Sequence, residues 1–425
     1  MSARPAIQSL PETSRGIPRV GLWTAIFLPY AVGYFLSYLL RNVNAVLAPE
    51  FQKTMGLSSA DIGLLTGAYL AAFAVAQLPI GVLLDRYGPR RVQLGLLLVA
   101  ATGCGAFALG TGLGQLILAR GLIGLGVSGC LMAAFKAFSQ WFPANRQASL
   151  NAAIMISGGL GALTASTPFS FLLPFIGWRW IFAGLAGVAL LAMAFVWRMP
   201  DKAISAPGTG MAAQITALKA ILASRTYWSA APMAAMMIGG FIAVQGLWAM
   251  PWLTAAAGLS RDEASFCLLL LNLALMAGYA CIATLLSRLL QRGLTLPQVL
   301  IGGGTGALLV SLGLLLYPGA GFAPWLLLGI AFSTTNLAYA HHAVAYDRSL
   351  AGRANTCLNL GVFVGGFGLQ WGFGIVVDTA RDAGLDAAAA LTLAWGLLVA
   401  LQAASLAWFA FSNGRQAMTA DSALG

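Results

Sequence analysis

Long apolar runs separated by short polar connectors make up almost the whole chain. They fall at about 21–48, 58–84, 91–113, 115–141, 148–173 and 177–199, and, after a break, at about 227–257, 262–290, 295–317, 322–346, 352–378 and 385–412. A helix needs about 20 apolar residues to cross a bilayer, so the pattern predicts an all-α integral membrane protein with twelve transmembrane helices. The break, Pro200 to Arg225, is rich in Ala, Gly, Ser and Pro and carries Asp201, Lys202, Lys219 and Arg225. It reads as a linker with room for a short surface helix. The expected organisation is a tail at 1–20, a six-helix bundle at 21–199, a linker at 200–226, a second six-helix bundle at 227–412 and a tail at 413–425.

Composition agrees with lipid as the solvent. The 425 residues are 59% hydrophobic and 8% charged, with a mean hydropathy of +0.83, whereas soluble domains carry about 25% charged residues. No length remains for a large soluble domain. The net charge of +11 does not point to nucleic acid, because the basic residues lie singly or in threes at the ends of apolar runs rather than on one face. With the N-terminus inside, only Lys53, Arg179, Arg261 and Arg381 fall outside, and only Arg41, Arg120 and Lys136 fall within spans. The other sixteen of the 23 lie on the cytoplasmic side, as the positive-inside rule requires. Both termini are therefore expected in the cytoplasm, with the chain in a bacterial inner membrane. Met1 to Val20 is polar and lacks the apolar core of a signal peptide. The five cysteines show no paired spacing, so neither a disulfide framework nor a metal site is expected, and no cofactor is.

One connector differs from the rest. Gly81-Val-Leu-Leu-Asp85-Arg86-Tyr-Gly88-Pro-Arg90-Arg91-Val92 resembles the signature loop between the second and third helices of the major facilitator superfamily. Gly81 lets a neighbouring helix come close, Asp85 suits the positive end of another helix, and Arg86, Arg90 and Arg91 hold the loop in the cytoplasm. In that family the loop is a latch between halves, made in one conformation and broken in the other, so Asp85 and Arg86 are expected to gate rather than bind. Arg120-Gly-Leu-Ile-Gly124-Leu-Gly126, Phe142-Pro143 with Arg146, and Gly177-Trp178-Arg179 resemble other motifs of the superfamily. The halves also echo each other in Arg146-Gln-Ala-Ser-Leu-Asn151 and Arg353-Ala-Asn-Thr-Cys-Leu-Asn359. The resemblance implies two pseudo-symmetric bundles about a central site, working by alternating access.

Charges inside a membrane are costly, about 2.5–3.5 kcal/mol each on insertion scales. Tyr34, Tyr38 and Arg41 recur at helical spacing on one face of the first span, with Asn42 and Asn44 beside them. The segment from Tyr38 to Pro49 resembles the first helix of organophosphate:phosphate antiporters and anion:cation symporters, where the arginine binds the anionic substrate. Where the antiporters carry a second arginine, the seventh helix here has Gln245 and Trp248. Arg41 reads either as the charge contact for an anion or as an arginine snorkelling to the interface. Arg120 reads as a second contact, a coupling residue or a structural one, and Lys136 as a side chain reaching the cytoplasmic surface.

All 12 acidic residues lie in tails, connectors or span ends, which favours an anionic solute and leaves no buried carboxylate to carry protons. His341 and His342 are candidates for proton coupling or for structural hydrogen bonding. Gln245 and Trp248 are candidates for the other wall of the cavity or for packing. The expected function is a secondary transporter of a small anion, contacted by Arg41, Tyr38, Asn44, Arg120, Gln245 and Trp248, with a coupling ion as a candidate second partner, in a protein that works as a monomer and is not an enzyme. The rivals are a drug or metabolite exporter of the same fold, indifferent to Arg41, and a membrane receptor or enzyme, for which the chain offers no sensing domain or catalytic set.

Overall fold

The computed structural model describes residues 21, 23–143, 146–165, 167–201 and 211–424. The N-terminal tail 1–20 and, in the linker, Lys202 with the rest of 202–210 lie outside the described residues. Among the described residues every regular element is helical. We number the segments α1 (Trp23–Met55), α2 (59–87), α3 (89–109), α4 (Leu113–Trp141), α5 (Gln147–Thr164), α6 (178–197), α7 (Arg225–Ala255), α8 (Arg261–Gln291), α9 (Leu296–Leu316), α10 (323–344), α11 (Arg348–Asp382) and α12 (Ala387–Leu424). A short helix, Met211–Leu222, lies in the linker.

Ten described helices are long and apolar enough to cross a membrane, against the twelve expected. The two other expected runs are interrupted. The run at 148–173 is α5 followed by a further helical stretch from Thr167, and α10 is split by a 3-10 turn at Thr334–Asn336. The expected C-terminal tail is helical, because α12 continues to Leu424.

The sharp corners sit on glycine. Gly88 (φ 79, ψ 161) separates α2 from α3, and Gly177 (φ 70, ψ 158) opens α6. Side chains with a Cβ scarcely tolerate that backbone region. Pro89 follows Gly88 at the first helical position, where its missing N–H costs nothing. Starts are capped by the residues that the connectors supply: Ser58 with Asp61 for α2, Ser260 with Glu263 for α8, and Thr295 with Gln298 for α9, each a reciprocal capping box.

The buried apolar side chains form two clusters. One runs from Ile26 to Met199 and takes in Phe363 from the second half. The other runs from Ile221 to Phe409 and takes in Ala48 and Ile62 from the first. Each half thus has its own core, with a few side chains crossing the plane between them. Large apolar residues such as Phe175, Trp180 and Leu309 point outward, as a lipid-solvated surface requires.

Candidate functional site

The helical ladder of α1 is interrupted at Val43, between Leu28–Asn42 and Asn44–Met55. Arg41 sits on the last turn before the interruption. Its guanidinium carbon lies 4.6 Å from the ring centre of Tyr38, 5.3 Å from that of Phe73 on α2 and 5.3 Å from that of Phe363 on α11. Three aromatic faces, one of them from the second half, therefore surround the cation. Its Nε is buried and makes no hydrogen bond among the described residues.

Arg120 on α4 is fully buried, at 0% exposure. One terminal nitrogen donates to the Arg41 carbonyl at 3.3 Å, at the interruption of α1. Its Nε and other terminal nitrogen have no hydrogen-bond partner among the described residues. Tyr69 stands between the two arginines: the Arg120 guanidinium lies 5.1 Å from its ring centre, its hydroxyl donates to the Ser37 carbonyl at 3.1 Å, and it lies within electrostatic reach of Arg41. No Asp or Glu occurs between Asp85 and Asp201 or between Glu263 and Asp347. The polar centre of the first half is thus cationic, with buried N–H groups left over.

Tyr34 and Tyr38 stack edge to face at 5.0 Å. A Cβ on Gly158 of α5 would stand 2.6 Å from the Tyr34 ring and 3.1 Å from that of Tyr38, so the bare backbone there makes room for both phenols. Asn44 lies beyond the interruption and is turned away, its amide donating to Thr66 on α2 at 3.2 Å.

The facing surface of the second half is neutral. Gln245 lies in a π-helical turn of α7, Val244–Trp248, and donates to Asn272 on α8 at 2.6 Å. The Asn336 amide, at the 3-10 turn of α10, donates to the Tyr279 hydroxyl at 2.8 Å, and Tyr339 donates to Asn359 at 2.8 Å. Tyr339 lies within electrostatic reach of Tyr38 and Arg41, and Tyr279 of Tyr38. Tyr339 and Tyr279, with Asn359 and Asn336 bonded to them, therefore lie toward the arginine wall. Trp248 is 3% exposed, donates its indole N–H to the Gln370 carbonyl at 3.0 Å and stacks on Phe373 at 4.6 Å.

The signature loop is arranged separately. Gly81 lies within α2, and the Arg86 guanidinium lies 5.3 Å from the Tyr87 ring centre. Asp85 pairs with Lys136 of α4, so Lys136 has a partner beside the loop. Arg90 donates to the carbonyls of Val196 (3.3 Å) and Trp197, and Arg90 and Arg91 meet Asp201 at 3.6 and 3.3 Å. These partners all belong to the first half or the start of the linker.

The two histidines look in different directions. His341 packs on Phe409 at 5.3 Å. His342 is 1% exposed, lies 5.9 Å from Tyr227 and 5.0 Å from Tyr346, and has no hydrogen-bond partner for either nitrogen among the described residues.

Sequence reasoning did not single out Tyr69, Phe73, Phe363, Tyr279, Asn272 or Asn336 for the site. Polar residues in the middle of apolar runs mark Asn272 and Tyr279, but phenylalanine carries no such signal.

The family profile described as Major Facilitator Superfamily matches residues 30–369. The hexuronate transporter of Escherichia coli (strain K12) is 30% identical over 177 residues, which cover 42% of this chain and 40% of that protein. A probable sulfoacetate transporter of Cupriavidus necator is 30% identical over 175 residues, 40% of each. The matched stretch thus spans about two fifths of these relatives. Among solved structures, a bacterial homologue of the human lysosomal transporter Spinster, inward-facing and occupied, superposes with a TM-score of 0.71 at 19% identity, covering 91% of this chain and 96% of that one.

Proposed function

The chain belongs to the major facilitator superfamily, and on that premise we propose that it is a secondary transporter moving a small organic anion by alternating access. The observation that carries this is the half-buried Arg41, whose buried Nε has no hydrogen-bond partner and whose charge has no salt bridge among the described residues, beside the fully buried and likewise unpaired charge of Arg120. Leaving buried donors unmade is expensive, about 1–3 kcal/mol each and more for charged groups. A bound carboxylate or sulfonate supplies the missing acceptors and the missing charge, and Arg41, planar and forked, suits either.

The solute bridges the two walls. Arg41 and Tyr38 hold its acidic group, while Gln245 with Asn272, Asn336 with Tyr279, and Tyr339 with Asn359 exchange their mutual hydrogen bonds for bonds to its hydroxyl or carbonyl oxygens. A hydroxylated carboxylate of hexuronate size and a short sulfonate both meet this description. Asn44, through Thr66, and Trp248, through Gln370, shape the walls from behind. Arg120 braces the α1 interruption and adds positive potential, and His341 and His342 are the residues we assign to proton coupling.

The protein sits in a bacterial inner membrane with both termini in the cytoplasm and works as a monomer, its bundles spanning 21–199 and 227–412. With that orientation, the Ser59 N–H of α2, which donates to the Asp378 carboxylate of α11 at 3.0 Å, joins the two halves at its outer face.

The test is uptake into proteoliposomes of labelled glucuronate, sulfoacetate and a lipophilic cation, for wild type and Arg41→Ala. Anion uptake that is lost in the variant supports the reading. Cation uptake equal in both proteins overturns it and makes the chain an exporter of the same fold.

A further inference from the structure

At the end of the molecule opposite the signature loop, the two halves are joined by a continuous antiparallel seam. Along α2, Ser59, Gly63, Gly67, Leu70 and Phe73 share one face. Along α11, Asp378, Gly374, Gln370, Phe367, Gly366 and Phe363 meet them in reverse order. A Cβ on Gly374 would lie 2.3 Å from the Ser59 carbonyl oxygen, one on Gly63 2.6 Å from that of Gln370, and one on Gly67 2.8 Å from the Phe367 ring. The backbones touch, as small residues allow between membrane helices. The seam ends at the Phe73–Phe363 ring pair, 4.4 Å apart, beside Arg41.

The polar end of this seam has a distinctive arrangement of donors. The first N–H groups of any helix lack partners inside it. In α2 the Ser58 N–H donates to Asp61 at 3.0 Å and the Asp61 N–H to the Ser58 hydroxyl at 3.1 Å. The two N–H groups between them, of Ser59 and Ala60, donate to the two carboxylate oxygens of Asp378 at 3.0 and 2.7 Å. The start of α2 is therefore capped half by its own residues and half by an acid of the other half, which also meets the positive end of the helix dipole. A second strut stands nearby, the Arg261 guanidinium of α8 donating to the Val46 carbonyl of α1 at 2.8 Å.

We propose that Asp378 is a latch that holds this face shut, its fixed negative charge clasping the α2 N-terminus, and that each transport cycle must release it. Separating the halves here strips Ser59 and Ala60 of their acceptor while leaving the Ser58–Asp61 box intact, so the contact favours the closed arrangement specifically. The proposal makes α2 a lever with a carboxylate clasp for each end. In this conformation the Asp378 clasp is engaged, while Asp85 at the far end of α2 rests on Lys136 within its own half. The inference requires no particular solute and stands apart from the anion site.

The experiment is pulsed electron-electron resonance between spin labels on Lys53→Cys and Arg381→Cys, both exposed positions on opposite halves, in a Cys281→Ser background because Cys281 is the exposed cysteine. No solute is added. Asp378→Ala is expected to raise the long-distance population several-fold over the wild type. Ser59→Pro removes one clasped N–H at the first helical position, where proline is tolerated and where the preceding Ser58 is already extended (ψ 169). It is expected to give a smaller rise in the same direction and serves as the deciding variant if Asp378→Ala is not monodisperse. Asp61→Ala weakens the same helix start without touching the cross-half contact and is expected to leave the distribution unchanged. Wild-type distances in a folded Asp378→Ala or Ser59→Pro overturn the latch, as does an equal shift in Asp61→Ala, which would make the effect a matter of helix capping alone.

Discussion

On the wall built by α1, α2 and α4, Arg41 and Arg120 bring two positive charges that make no salt bridge among the described residues. Across from them stand three neutral pairs from α7, α8, α10 and α11 that are already matched: Gln245 to Asn272, Asn336 to Tyr279, Tyr339 to Asn359. An unmatched charge draws a ligand in and sets the sign it must carry. Matched dipoles give up one partner for another at little net gain, since a neutral hydrogen bond contributes about 0.5–1.5 kcal/mol, but they discriminate between solutes that can replace that partner and solutes that cannot. The difference separates affinity from selectivity by half of the molecule.

Substitutions can break that division or sharpen it. The largest effect is expected from Arg41→Ala, which should weaken anion binding by about 100-fold, equivalent to about 2.7 kcal/mol, in scintillation-proximity or calorimetric titrations. Arg41→Lys keeps the charge and loses the fork and the stacking on Tyr38, Phe73 and Phe363, so a loss of about 10-fold is expected. Arg120→Gln should act on the fold instead, lowering the melting temperature by the loss of a buried bond to the Arg41 carbonyl and leaving anion affinity within about fivefold of wild type. An affinity loss as large as that of Arg41→Ala would place Arg120 in contact with the solute.

The second wall should yield smaller and more selective changes. Gln245→Ala is expected to weaken hydroxylated anions by about 5- to 10-fold and an unsubstituted carboxylate of similar length by less than about twofold, consistent with one neutral hydrogen bond. Tyr339→Phe, which leaves Asn359 free to serve the same oxygen, should cost about two- to threefold for the hydroxylated anion alone. Equal losses for both ligands in either variant would erase the distinction between the walls.

How much of this could be read from the chain follows from how far apart the partners lie in it. Tyr34, Tyr38 and Arg41 are three and four residues apart on one helix, and their shared face is a matter of helical period. Asn44 continues the same spacing, but the interruption at Val43 turns it toward Thr66, and no periodicity announces that. Gly88 and Gly177 were legible as corners because their connectors combine glycine with proline or charge. The pairing of Asp85 with Lys136 spans 51 positions, that of Tyr339 with Asn359 joins two helices, and Phe363 reaches Arg41 across the plane between halves. Such contacts are decided by packing in three dimensions. Trp248 shows the same limit, since an aromatic at helical spacing is equally consistent with a cavity wall and with the buried position it occupies against Phe373.

The third ring around Arg41 has a thermodynamic corollary. Phe363 belongs to α11, so the stabilisation it lends the guanidinium exists only while α2 and α11 are apposed. Any solute oxygen that competes with that ring for the cation is then energetically linked to the separation of the two helices, and linkage is reciprocal. The share of binding that comes from displacing the ring would favour parting of the seam, against the bridging contacts that draw the two walls together.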